Sequence, residues 1–175
     1  MSIEITVPLN KAEVERLRCG DRVRITGRIY TARDAAHKRM VEALEKGQAL
    51  PIELENQIIY YAGPTPAKPG KVIGSCGPTT SCRMDAYAPK LIELGLTGMI
   101  GKGERDESVV NAMKKHKAVY FGAIGGAGAL IAECIKSVEV VAYEDLGTEA
   151  IRCLEVKDFP AVVVIDCEGN SLYDR

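Results

Sequence analysis

The chain has 175 residues, 46% of them hydrophobic and 27% charged, with 24 acidic side chains against 23 basic ones. That length suits one domain with a sizeable core. A formal net charge of −1 gives no field that would draw in nucleic acid or an anionic membrane. The longest apolar runs, such as "AVVVI" at 161–165, are far too short to span a bilayer, and "MSIEITVPLN" lacks the basic start and apolar core of a signal peptide. The expectation is a single domain over 1–175, in the cytoplasm.

In chain order, "IEITV" (3–7) alternates like a short strand. "NKAEVERLRCG" is predicted as a helix with Asn10 as its N-cap and Gly20 as its stop. "DRVRITGRIYTA" spaces Val23, Ile25 and Ile29 evenly, as a strand does, and Gly27 inside it marks a bulge or a close backbone approach. "RDAAHKRMVEALEKG" is an amphipathic helix with Ala36, Met40, Val41 and Leu44 on one face and Gly47 at its end. "QIIYYAG" is a strand. "GPTPAKPG" (63–70) holds three prolines, so it is a stiff connector; a domain boundary there has no support from composition, which is alike on both sides.

The second half alternates. "KVIGS" (71–75) is predicted as a strand, "RMDAYAPKLIELG" as a helix kinked or restarted at Pro89, "TGMIG" as a strand, "DESVVNAMKKHK" as a helix and "AVYFGAI" as a strand. "GGAGALIAECIK" follows as a helix, then strands at "VEVVAYED", "AIRCLEVKD" and "PAVVVID", and "CEGN" turns the chain into "SLYD". Strands alternating with helices predict an α/β fold on a largely parallel sheet.

The segment "GPTTSCRMD" (77–85) concentrates hydroxyls beside a guanidinium at a strand-to-helix junction. α/β proteins place ligands at such junctions, where helix-start N–H groups are unpaired. Thr79, Thr80 and Ser81 supply hydroxyls, and Arg83 supplies a planar fork for a carboxylate or phosphate. The competing account is a helix cap, with Arg83 paired to Asp85 or solvated. Arg33 stands at a second junction, with His37 one turn into the helix, and Lys102, between two glycines, at a third. Singly these read as surface cations and a structural histidine. Together, on neighbouring strands, they would suit a small dianion.

"GKG" is not a P-loop. The turn Gly125–Gly128, followed by a helix, a strand and Glu144, suggests a dinucleotide unit, but Ile131 stands where the third glycine of that fingerprint belongs. Close helix-on-sheet packing accounts for those glycines. "HKR" and "KKHK" are helix ends, and with two phenylalanines and no tryptophan a nucleic-acid surface is not expected. The six cysteines are scattered with no CxxC pair, so a zinc ribbon or ferredoxin-type cluster site has no support in this chain. Cys76 and Cys82 flank the 77–85 segment, as small loop residues or as reactive thiols.

In this order and spacing, "GPTPAKPG", "GPTTSCRMD", "GKG" and "GGAGALIA" resemble the β subunit of class I (iron–sulfur) fumarate hydratase and L-tartrate dehydratase, which is the C-terminal domain in single-chain versions. The likeness runs from "TGRIYTARDAAHKR" to "PAVVVID". It implies a swivelling β/β/α domain, a layered sheet with flanking helices. It implies an α subunit, in an α2β2-type hetero-oligomer, whose three cysteines hold a [4Fe–4S] cluster; no metal is expected on this chain. It implies reversible hydration of a C4 dicarboxylate, fumarate to malate first and L-tartrate to oxaloacetate next, with the open iron acting as Lewis acid. Carried over by motif, Thr79 is the catalytic base, Arg33 and Arg83 bind the substrate carboxylates, and Lys102 is a further polar contact. Thr80, Asp85 and His37 are supporting residues. Ser81 and Cys82 fill a slot where relatives carry a small or aromatic residue. A stand-alone dinucleotide- or phosphate-binding module using Gly125–Gly128 is the alternative.

Overall fold

The computed structural model describes residues 2–124 and 131–174. Its seven strands are β1 (Ile3–Thr6), β2 (Arg22–Thr31), β3 (Ile58–Tyr60), β4 (Gly98–Gly101), β5 (Val119–Ala123), β6 (Ile135–Ala142) and β7 (Ile151–Ile165). Four α-helices are described: α1 (Lys11–Arg16), α2 (Asp34–Glu45), α3 (Ala88–Glu93) and α4 (Glu107–His116). The ladders β1–β2, β2–β3, β3–β4 and β4–β5 are parallel. β7 runs antiparallel to β5, β6 and β2. Because β7 pairs with both β5 and β2, the strands β2, β3, β4, β5 and β7 close into a ring.

Closure splits the apolar side chains into two cores, since successive residues of a strand face opposite ways. Ile58, Tyr60, Ile100, Val119 and Phe121 point into the ring with Ile25, Ile29, Leu154 and Phe159. Tyr60 meets Phe159 edge-on there, ring centroids 5.3 Å apart. The alternate residues Ile59, Tyr61, Met99 and Tyr120 point out, under Met40 of α2, Leu91 of α3 and Met113 of α4. The sheet therefore has helices on its outer face and its own strands across the inner one.

Many local expectations hold for local reasons. Asn10 accepts from the Glu13 N–H at 2.9 Å and caps α1. Asp106 caps α4 by accepting from Ser108 N–H at 3.0 Å. Gly27 marks both things expected of it. The β2–β7 register slips between Ile25 and Gly27, so Lys157 and Asp158 together face Thr26. A Cβ on Gly27 would also lie 3.0 Å from the Val7 carbonyl oxygen.

Other expectations are corrected. α1 ends at Arg16, before Gly20, which sits in the following turn at φ 93°. "KVIGS" is not a strand: Ser75 N–H donates to Thr65 Oγ1 at 2.8 Å and Thr65 N–H to the Ser75 carbonyl at 2.9 Å, tying 71–75 to the proline connector. Prolines at 64, 66 and 69 have no N–H with which to extend a ladder. The helix expected over 83–95 is broken into a 3-10 turn, Ser81–Met84, and the short α3, in whose first turn Pro89 stands. "AIRCLEVKD" and "PAVVVID" form one 15-residue strand, β7. The bulge at Lys157 and Asp158 bends it, Pro160 needs no donor there, and its carbonyl accepts from Ile124 N–H at 3.0 Å. β6 starts at Ile135, inside the segment expected to be helical; Ile131 and Ala132 are helical. The sheet is mixed rather than largely parallel, because β7 lies against three other strands. The Gly125–Gly128 turn lies outside the described residues.

Candidate functional site

β2, β3 and β4 are adjacent and parallel, so their carboxyl ends, at Thr31, Tyr60 and Gly101, lie along one edge. Arg33 follows β2 and Lys102 follows β4. The Thr79–Ser81 stretch is laid beside Lys102: Thr80 bridges Lys102 in parallel, Ser81 N–H donates to the Lys102 carbonyl at 2.8 Å, and Lys102 N–H to the Thr79 carbonyl at 3.3 Å. Two glycines make these approaches possible. A Cβ on Gly101 would collide with Ser81 Oγ, and one on Gly63 would lie 3.0 Å from Cδ and 3.1 Å from Nη1 of Arg33. Arg33 therefore lies against the backbone at the start of the proline connector.

Both the N–H and Oγ1 of Thr79 donate to the Tyr61 carbonyl oxygen, each at 2.7 Å. One carbonyl thus fixes the hydroxyl's direction and leaves its lone pairs pointing away from Tyr61. Thr80 and Lys102 are exposed, and Thr79 is half-buried. Arg83 does not pair with Asp85. Its Nε lies 3.4 Å from Asp34 Oδ2, which brings the 81–84 turn onto the start of α2.

Helix-end amides contribute less than the sequence suggests. The motif leads into a four-residue 3-10 turn that Thr80 does not cap with its side chain, and the N–H groups of Thr79 and Ser81 are used against neighbouring backbone. Ala35 N–H at the start of α2 is taken by Glu149 Oε1 at 3.1 Å. The cations at this edge are therefore side chains, not helix-end amides.

Around them, Thr31 Oγ1, Arg33 Nε, Asp34 Oδ1 and His37 Nε2 are buried without a hydrogen-bond partner. All four belong to the β2–α2 junction, and buried polar atoms are normally paired. They crowd the strand edge that carries Arg33 and onto which Arg83 reaches through Asp34.

His37 is fully buried. Its Nδ1 lies 2.8 Å from the Arg33 carbonyl, which can only accept, so Nδ1 carries the hydrogen. Burial, then the Arg105 charge, pushes the imidazole down to about 4. His37 is thus a neutral holder of the Arg33 backbone. Since the unfolded chain takes up this proton first, stability falls as pH drops from ~6.5 towards ~4, by on the order of 3 kcal/mol. Urea unfolding at pH 7 and pH 5 should show a larger loss in wild type than in His37→Gln. Equal losses would contradict the buried neutral ring.

Asp85 is a different kind of residue from Arg83, although only Met84 separates them. Its Oδ1 accepts from Arg105 Nε at 2.7 Å and its Oδ2 from Asp106 N–H at 2.7 Å. The Arg105 side chain is 0% exposed. Burial works against its charge, yet Tyr61 and Asp85 hold its pKa above the usual value. Sequence reasoning missed Arg105 and Tyr61, and reads Asp34 only as able to cap α2; Arg33 holds the cap position there, and Asp34 faces Arg83 instead. An arginine in "GKGERD" reads as solvated, and nothing local marks a partner twenty residues earlier.

Cys76 is buried, and burial pushes its thiol up to about 12, which removes it as a reactive thiolate. Cys82 is the exposed cysteine of the six. Among the described residues, no three His, Cys, Asp or Glu side chains are grouped to hold a metal ion.

The family model described as "Fumarase C-terminus" matches residues 1–175. The chain belongs to the fumarase C-terminus family. It is 40% identical over 173 residues to the "Putative L(+)-tartrate dehydratase subunit beta" of Methanocaldococcus jannaschii, covering 95% of this chain and 89% of that one. It is 38% identical over 177 residues to "Fumarate hydratase class I, aerobic" of Escherichia coli K12, covering 99% of this chain. It is 37% identical over 179 residues to "Fumarate hydratase 2" of Leishmania major. The chain spans 32% of the length of each of these two fumarate hydratases. Within the fumarase C-terminus family, then, the same unit is matched by a separate β subunit and by part of a longer chain. No described helix is long and apolar enough to cross a membrane.

Proposed function

We propose that this chain, as one domain over 1–175 with a swivelling β/β/α fold, is the β subunit of a cytoplasmic hydro-lyase that reversibly hydrates a C4 dicarboxylate. Fumarate to malate is the first choice and L-tartrate to oxaloacetate the second. The observation that carries the proposal is the gathering of Thr79, Lys102, Arg33 and Arg83 along the carboxyl ends of the adjacent strands β2, β3 and β4. The relatives named for fumarate hydratase and tartrate dehydratase subunit beta support the reaction class.

Arg33 and Arg83 each present a planar fork to a carboxylate, and Lys102 adds an ammonium. Thr79 Oγ1 takes the carbon-bound proton and returns it in the reverse direction. Its hydrogen is donated to the Tyr61 carbonyl, which cannot take it up, so Thr79 acts as base only after that proton has left to solvent; the alkoxide then faces the neighbouring cations while the Thr79 N–H still holds the Tyr61 carbonyl. A threonine alkoxide is reached only with neighbouring positive charge, which Arg33, Arg83 and Lys102 supply at the same strand edge. Thr80 lines this edge, while His37 and Asp85 support it from within.

A [4Fe–4S] cluster with an open iron would supply Lewis-acid chemistry at substrate oxygens when bound. The described side chains of this chain do not form a cradle for it. In this proposal the cluster sits on an α subunit that completes an α2β2-type assembly over the exposed strand edge.

The test is reconstitution under anaerobic conditions. This chain alone should leave fumarate and L-tartrate unchanged; mixed with a cluster-bearing α subunit, it should convert one of them and lose activity in air. Turnover by the α subunit alone at the rate of the mixture would overturn the shared site.

A further inference from the structure

Behind Thr79 lies a buried network that joins the end of β3, the 79–85 segment and the 102–106 loop. Arg105 donates from Nε to Asp85 Oδ1 at 2.7 Å and from Nη2 to Tyr61 Oη at 3.0 Å. Its guanidinium carbon lies 5.1 Å from the Tyr61 ring centroid and 4.8 Å from that of Tyr120. Tyr120 Oη donates to the Gly103 carbonyl at 2.8 Å, which uses its one hydrogen, so Ser81 Oγ donates to Tyr120 at 2.7 Å. One charge, sandwiched between two phenols, therefore reaches the 79–85 segment through Asp85 and Tyr61, and meets the ring of Tyr120, whose hydroxyl joins Ser81 to the 102–106 loop.

We propose that Arg105 is a positioning residue for the reaction, acting on Thr79 through Tyr61. This rests on the assignment of Thr79 made above. Arg105 fixes the Tyr61 side chain, and the carbonyl of that same residue holds Thr79 by its N–H throughout and by its Oγ1 hydrogen before deprotonation. Bulk packing alone gives no reason for a guanidinium here. Apolar residues of similar volume often fill such a space at equal or greater stability, because a buried ion pair must be stripped of water. What an arginine adds is fixed direction, with the two rings and the carboxylate each meeting a set part of its plane. Direction matters in proportion to the chemistry it serves: a misplacement of about 1 Å in a reacting group costs about 10²-fold in rate.

The experiment is a double-mutant cycle in the reconstituted complex, with fumarate and L-tartrate as substrates and assembly checked by gel filtration. Arg105→Lys keeps the charge and loses the fork. It should lower kcat about ten- to a hundredfold while KM stays within about threefold, because Arg33 and Arg83 are untouched. Tyr61→Phe keeps the ring and loses the hydroxyl that Arg105 holds. It should shift kcat in the same direction and covers the case in which Arg105→Lys does not fold. In a Thr79→Ala background, each change should cost nothing further in kcat. Effects that multiply with that of Thr79→Ala, or a loss confined to KM or to thermal stability, overturn the proposal. An unchanged kcat in Thr79→Ala alone would instead overturn the assignment of Thr79, and Arg105 would have nothing to position.

Discussion

Thr79→Ala should lower kcat in the reconstituted complex by roughly 10²–10⁴-fold, the range typical of a lost proton-transfer group, with much less change in KM. The residue is half-buried and its hydroxyl is aimed by one carbonyl, so removing Oγ1 deletes the proposed base without disturbing the arginines. Thr80→Ala is the matched control. Thr80 is exposed, and its side chain does not cap the turn that follows. A structural role for the threonine pair would give two small, similar effects. A role in proton transfer gives one large and one small effect, and kcat measured on assembled complex distinguishes them.

Arg83→Lys should lower kcat/KM for the dicarboxylate about ten- to a hundredfold, as expected for loss of one charge-assisted bond worth roughly 1.5–3 kcal/mol. Lysine keeps the charge but not the two-pronged plane that matches a carboxylate. The Arg83 side chain is 55% exposed, and its Nε–Asp34 contact of 3.4 Å is long, so a surface ion pair of this kind contributes ~0–1 kcal/mol and its loss would barely register. A large effect therefore reports substrate rather than fold. Arg33→Lys should behave alike if both ends of a dianion are gripped. Near wild-type kcat/KM in both assembled variants would remove the two-arginine pocket.

The sequence made several element ends visible because they carry local marks: Gly47 after α2, Asp106 before α4, alternating apolar residues in β2. It also singled out Lys102 by the glycines on either side of it, and Arg33 and Arg83 by their places at expected helix starts; their binding of substrate is the proposal. What it hid was long-range. β7 joins β2 to β5, and no local pattern reports that a strand has three partners. "KVIGS" has a strand's composition, but its neighbour is a proline connector with no donors to offer. The pairing of Arg83 with Asp34, and of Asp85 with Arg105, depends on which turn follows the threonines. A 3-10 turn and an α-helix present those two side chains differently, and Pro89 marks the break without specifying the turn.

The central claim is that this chain brings reacting groups to a shared site rather than merely supporting its partner. It is tested most directly by titrating the Thr79→Ala chain against wild type during assembly with a fixed amount of α subunit, and measuring turnover of fumarate and L-tartrate. The account predicts that the variant enters the complex as well as wild type does, and that activity falls in proportion to its share of the assembled chains. Activity that stays constant as the variant replaces wild type would contradict it.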